Sequence, residues 1–359
     1  MRSDNPPILG VPTNIITGFL GVGKTSAILN LIKSKPKNER WAILVNEFGE
    51  VGVDGCLVQS QQDQSQQVFI REVPGGCMCC AAGLPMQVAL NQLLLKAKPD
   101  RLLIEPTGLG HPKEVLQVLS TDHYRDVLLL QNNITLVDAR HLVDPRYTNH
   151  ETFNQQIAIA DIVVGNKQDL YQAKEAETLK NYVAGIAGSK TQVIFTEQGA
   201  ISLDLLDNPK HLEQSMYDHH DHHDHHDHHD HHDHHDHHDH HDHHDHPTDM
   251  KPLVSEMPMP DCGVLKAVNT GEGFCSVGWR FSAFKIFLRE KLLLLCSTLP
   301  IERMKAVLIT DQGVFGYNLT SDGLTETALL ECAESRIEII AEKIDESIET
   351  QLLSCIKQD

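Results

Sequence analysis

The sequence predicts a doubly wound, mostly parallel α/β sheet followed by a small α+β domain. Three observations predict it. β-leaning apolar runs alternate with helix-compatible runs from residue 8 to residue 195, the pattern of a parallel sheet with right-handed crossovers. The stretch Gly18-Phe19-Leu20-Gly21-Val22-Gly23-Lys24-Thr25 fits G-x-x-x-x-G-K-[ST] between one such strand and one such helix. A composition break then separates this region from a second set of strands and helices.

The elements follow in order. Residues 8–17 read as the first strand, and residues 26–33 as the helix after the glycine-rich turn. That strand–loop–helix context is the one a phosphate-binding loop requires, as in the P-loop NTPase sheet. Gly18, Gly21, Val22 and Gly23 would bring backbone N–H groups onto phosphate oxygens, with Ser26 opening the helix behind them. Lys24 would add a point charge at the outer phosphates, and the Thr25 hydroxyl would serve Mg²⁺.

Trp41-Ala42-Ile43-Leu44-Val45 is a continuous apolar run, hence a buried strand. It leads into Asn46-Glu47-Phe48-Gly49-Glu50. Ligands of doubly wound sheets bind beyond the carboxyl ends of strands, which places Glu47 and Glu50 near the phosphates. Two solvated loop acids are the bland alternative. Residues 60–67 are glutamine-rich and read as a loop, and residues 68–73 as a strand. Pro74-Gly75-Gly76 then turns into Cys77-Met78-Cys79-Cys80. Three thiols within four residues can converge on one soft ion. The chain has nine cysteines; the isolated ones read as small buried hydrophobes.

Residues 84–96 read as a helix, and residues 101–104 as a strand ending in Glu105-Pro106-Thr107-Gly108. An acid at a strand end ahead of a glycine turn is where phosphate-loop proteins hold Mg²⁺, so Glu105 is the expected second magnesium residue. Gly108 would let its backbone follow the terminal phosphate. Pro112 starts a helix, and His111 before it reads as structural ahead of metal-binding. Residues 134–137 form a further strand and residues 152–160 a helix. Residues 162–165 lead into Asn166-Lys167-Gln168-Asp169. In N-K-x-D the aspartate accepts from guanine's N1–H and exocyclic amine, and adenine leaves those partners unmet. That sequence argues against an ATP-dependent kinase on the same loop. Residues 174–187 read as a helix and residues 192–195 as the last strand of a first domain spanning 1–210.

Residues 218–246 repeat Asp-His-His and hold 19 of the chain's 24 histidines. The tract cannot bury a core. Its imidazoles offer many weak sites for Zn²⁺, Ni²⁺, Co²⁺ or Cu²⁺, with affinity lost below about pH 6 as the rings protonate. It falls in an expected metal-binding linker, residues 211–260, before a C-terminal α+β domain, residues 261–359. There, residues 263–269, 304–310 and 314–319 read as strands, the last two joined at Asp311-Gln312-Gly313. Residues 281–296 and 336–353 read as helices.

Formal charge is −20, and −10 without the ten aspartates of the tract. An acidic chain without a basic block argues against nucleic acid or an anionic membrane as partner. No apolar run reaches the eighteen residues of a membrane span, and the polar first residues carry no signal-peptide core. A cytoplasmic location is therefore expected.

With GFLGVGKT, NEFGEVGVDG, GGCMCC, EPTG and NKQD in this order, the chain resembles the CobW-type metallochaperone GTPases, relatives of the nickel-insertion GTPases of urease and hydrogenase maturation. The resemblance is strong over residues 15–169 and loose over the C-terminal region. It implies GTP hydrolysis coupled to delivery of a metal to a client metalloenzyme or apo-protein. By position it implies phosphate and Mg²⁺ binding at Lys24 and Thr25, with Lys24 and Glu105 as catalytic groups. Asn166, Lys167 and Asp169 would hold guanine. Cys77, Cys79 and Cys80 would hold zinc, or cobalt or nickel, with Glu47 or Glu50 as extra ligands. A homo-oligomer is compatible with this reading. A cobalamin-related cobalt or nickel insertion GTPase, and a metal store built on the histidine tract, are the alternatives. No residue matches a water-positioning glutamine, and Thr196-Glu197-Gln198 only loosely matches a guanine-contacting loop.

Overall fold

The computed structural model describes residues 7–45, 67–73, 84–208, 257–271, 274–299, 301–320 and 322–357. Among these, two sheets organise the chain. The first is parallel and eight-stranded, in the order β3-β2-β4-β1-β6-β7-β8, with β5 also paired to β1. Its strands are β1 (Val11–Gly18), β2 (Trp41–Val45), β3 (Val68–Glu72), β4 (Arg101–Glu105), β5 (Leu128–Leu130), β6 (Ile134–Val137), β7 (Ile162–Gly165) and β8 (Gln192–Phe195). β1 is central, with β4 on one side and β6 on the other. The glycine-rich turn therefore leaves the sheet beside the ends of β4 and, one strand further, β7.

Successive side chains of β1 enter different cores, as the strand period demands. Ile15 packs with Met86, Leu90 and Leu93 of the helix Leu84–Ala97. Ile16 packs with Ile28 and Leu31 of α1 (Lys24–Ser34). In β2 all five residues are buried, Ala42 and Leu44 on one face, Trp41, Ile43 and Val45 on the other. A strand covered on both faces has no polar side, which is why it reads as a continuous apolar run.

The second sheet is antiparallel and six-stranded, in the order β13-β12-β11-β14-β10-β9. Its strands are β9 (Val264–Gly271), β10 (Phe274–Ser282), β11 (Arg303–Thr310), β12 (Gly313–Thr320), β13 (Gly323–Leu329) and β14 (Glu334–Ala341). Two sequence expectations are corrected here. Residues 281–296 are not one helix: Phe281 belongs to β10, and the helix is Arg289–Cys296. Val277, Trp279 and Phe281 alternate into the core with period two, a strand pattern hidden by the leucines that follow. Residues 336–353 are likewise a strand and then a helix, Ser347–Ser354. Ile337 and Ile339 of β14 are fully buried, because β14 lies between β10 and β11. β13, a polar edge strand, was not anticipated. Cys296 and Cys355 meet the expectation of buried hydrophobes, whereas Cys262 is exposed in the turn before β9.

The two sheets are docked. Ile340 of β14 is buried among Phe19, Leu20, Leu109 and Val137. Arg146 pairs with Glu302 at 3.1 Å, and Asp322 receives both Arg140 and Lys167. Among the described residues, no helix is long and apolar enough to cross a membrane.

Candidate nucleotide site

The site forms where β1 hands over to α1. Gly23 caps the helix at φ 103°, a conformation that an L side chain rarely adopts. A Cβ there would also lie 2.5 Å from Nδ2 of Asn166. No acidic residue occupies the first turn of α1, so the positive end of the helix faces the loop uncompensated. Lys24 is buried and folds back over the turn, donating to the carbonyls of Gly18 at 2.9 Å and Phe19 at 3.4 Å.

The structure brings Lys24, Thr25, Glu105, Gly108 and Asn166 together. Thr25 Oγ1 donates to Glu105 Oε1 at 3.2 Å. The other carboxylate oxygen, Glu105 Oε2, is buried without a hydrogen-bond partner among the described residues, as is the hydroxyl of Thr107. Burial pulls the Lys24 ammonium down to about 8; Glu105 opposes the shift and Arg303 adds to it. Burial pushes Glu105 above the usual carboxylate range, opposed by Lys24, Arg303 and the Thr25 hydroxyl. Both groups are thus driven toward neutrality by desolvation, which outweighs their mutual attraction. The main chain at Gly108 passes close to the ammonium: a Cβ there would stand 3.2 Å from Lys24 Nζ. Gln156 holds that turn by donating to the Gly108 carbonyl at 3.0 Å.

Asn166 ties three loops. Its amide donates to the Val22 carbonyl at 2.8 Å and accepts from the Gly199 N–H at 2.9 Å. Lys167 sits in the left-handed region at φ 61° and reaches Asp322 Oδ2 at 2.5 Å. The Arg140 hydrogen bonds hold the Asp322 carboxyl well below its usual range. Asp169 lies exposed in the short helix Gln168–Leu170. His111 Nδ1 lies 3.2 Å from Gln155 Oε1.

Glu47, Glu50, Cys77, Cys79 and Cys80 lie outside the described residues, as does the tract 218–246. Among the described residues no group of three or more His, Cys, Asp or Glu side chains could hold a metal ion. The residues that flank the two stretches are described. Val45 lies opposite Glu105 in register, and Val73 donates its N–H to the Val45 carbonyl at 2.9 Å. Thr107 and Gln156 went unnoticed in the sequence, although Thr107 sits inside the EPTG stretch. Lys305, which donates to Thr25 Oγ1 at 3.0 Å, carries no local signal at all.

Residues 12–195 match the model of the CobW/HypB/UreG nucleotide-binding domain. The chain is 38% identical over 335 residues to the zinc chaperone YeiR of Escherichia coli, covering 92% of each. It is 33% identical over 204 residues to the zinc chaperone YjiA of the same organism, covering 55% of this chain and 61% of that one. The crystal structure of zinc-bound YjiA covers 97% of this chain and 99% of its own at 19% identity, but its TM-score of 0.42 is too low for a residue-by-residue comparison. A family match over more than half of the chain, on a parallel sheet with its glycine-rich loop beside Glu105 and Asn166, places this protein in the CobW/HypB/UreG family.

Proposed function

We propose that the chain is a zinc-related metallochaperone GTPase: it binds a transition metal, zinc first, at Cys77, Cys79 and Cys80, and passes it to a client protein as GTP is hydrolysed. The activity is GTP hydrolysis. Lys24 and the backbone of residues 18–26 bind the phosphates, and Gly108 follows the terminal one. Asn166 braces the base pocket, and Lys167 and Asp169 meet guanine.

Magnesium fits this site. Its oxygen donors are the Thr25 hydroxyl and Glu105, whose buried Oε2 has no hydrogen-bond partner among the described residues, a hard set of the kind Mg²⁺ prefers. When bound, Mg²⁺ neutralises charge that develops between the outer phosphates. Lys24 lies at the same place, and a triphosphate beside it would oppose the lowering that burial imposes on its ammonium.

One observation carries the coupling. Val45, Val73 and Glu105 stand together at the carboxyl edge of the sheet. The stretch with Glu47 and Glu50 follows Val45, and the stretch with the three cysteines follows Val73. Val45, the last described residue before the first stretch, pairs with Glu105, and Val73, the last before the second, lies one strand further out. On this reading a change at the terminal phosphate would pass through the paired ends of β4, β2 and β3 to a metal held there, and the two affinities would be reciprocal. The expected result is that Zn²⁺ alters the GTPase rate of the full chain and that Cys79→Ser removes the response. A variant that responds to Zn²⁺ as the parent does overturns the coupling. The 19 histidines of residues 218–246 favour a second reading, a metal store. Deleting them separates the two: a chaperone keeps its tight cysteine-bound ion and its hydrolysis, and a store loses its main capacity.

A further inference from the structure

The wall of the nucleotide cavity opposite the phosphate loop belongs to the antiparallel sheet. Arg303 and Lys305 stand two apart on β11 and share one face. Between and beyond them, Met304, Ala306 and Leu308 turn the other way into the domain core. Register carries the polar face across the sheet, with Lys305 opposite Asn318 of β12, and Asn318 opposite Thr325 of β13. Arg303, Lys305, Asn318 and Thr325 line the same cavity as Lys24 and Thr25. Both cations are 8% exposed. Lys305 reaches Thr25, and the Arg303 charge acts on both Lys24 and Glu105.

Among the described residues, Glu105 lies across the cavity and Glu338 stands opposite Lys305 on β14. Lys24, Arg303 and Lys305 thus bring three basic side chains to one cavity. The loop it faces is built to present phosphates. We propose that the antiparallel sheet completes the nucleotide site, with Arg303 and Lys305 binding the terminal phosphate oxygens of a nucleoside triphosphate held by residues 18–25. This rests on the GTP reading above and extends it: a triphosphate spans the two sheets, whereas a diphosphate lacks the group that Arg303 and Lys305 hold. Nucleotide state then sets how firmly the C-terminal sheet is docked.

The test uses full-length protein with Mg²⁺ and two probes, a β,γ-imido GTP analogue and GDP. Arg303→Met and Lys305→Met should each weaken the analogue about tenfold or more beyond any loss of GDP affinity, the scale of a charge-assisted contact. Arg303→Lys and Lys305→Arg should keep most of the analogue affinity. Equal losses for both nucleotides, or no loss, overturn the proposal. Should the methionine variants fold poorly, the unaltered protein still decides. Amide exchange in β11 and β12 should slow more with the analogue than with GDP, and equal protection overturns the proposal. A parent protein that binds neither nucleotide overturns the GTP reading as well. A parent that prefers the triphosphate, beside methionine variants that do the same, overturns only this inference.

Discussion

Lys24→Ala is expected to lower GTP hydrolysis by about 10²–10³-fold, the effect of removing one preorganised donor from a site where charge develops. The ammonium is buried and fixed on the Gly18 and Phe19 carbonyls, so on the proposed reading it would meet phosphate already oriented. Its loss also removes the charge that most opposes the burial of Glu105, and the carboxyl moves further above its usual range. Lys24→Arg should not rescue. Nζ already lies 2.9 Å from the Gly18 carbonyl, and the Gly108 main chain crowds it from the other side. A planar guanidinium has no room without displacing one of them. Single-turnover hydrolysis checks this, with the thermal midpoint as the control for folding. An arginine variant with parental hydrolysis would contradict the geometry.

What was legible in the sequence was what local chemistry dictates. Gly23, Lys24 and Thr25 are recognisable because a backbone wrapped on phosphate tolerates few residue types, and the spacing is counted in neighbours. Residues 41–45 were legible because a strand buried on both faces is apolar throughout. The C-terminal region was harder for a physical reason. In residues 281–296 and 336–353, apolar side chains crowd together in strand and helix alike, and a short apolar run has no period that separates the two. Register with distant strands decides: Phe281 pairs with Val264 and Ser335, neither visible from Phe281's neighbours. The site was split in the same way. Thr25, Glu105 and Asn166 announce themselves in motifs. Lys305 meets Thr25 from 280 residues away, and Asp322 reaches Lys167 from 155. Only the docking of two sheets makes those contacts, and no motif encodes it.

Asp169→Asn is expected to exchange guanine for xanthine. Aspartate offers two acceptors, to guanine's N1–H and its exocyclic amine. Asparagine keeps one acceptor and replaces the other with a donor, which opposes the amine of guanine and suits the carbonyl that xanthine carries there. A site built on such hydrogen bonds penalises the wrong partner heavily, so GTP affinity should fall by at least about 100-fold while xanthosine triphosphate gains. Asp169 is the right position for this experiment and Asn166 is not. Asn166 is buried and holds Val22 and Gly199 together, so its loss would disturb the phosphate loop and the base pocket at once. Asp169 is exposed on a short helix, and the change to asparagine conserves its shape. The variant should therefore keep the parental thermal midpoint and hydrolyse xanthosine triphosphate while failing with GTP. Unchanged GTP affinity in the variant would remove Asp169 from the base pocket and, with it, the guanine specificity of the site.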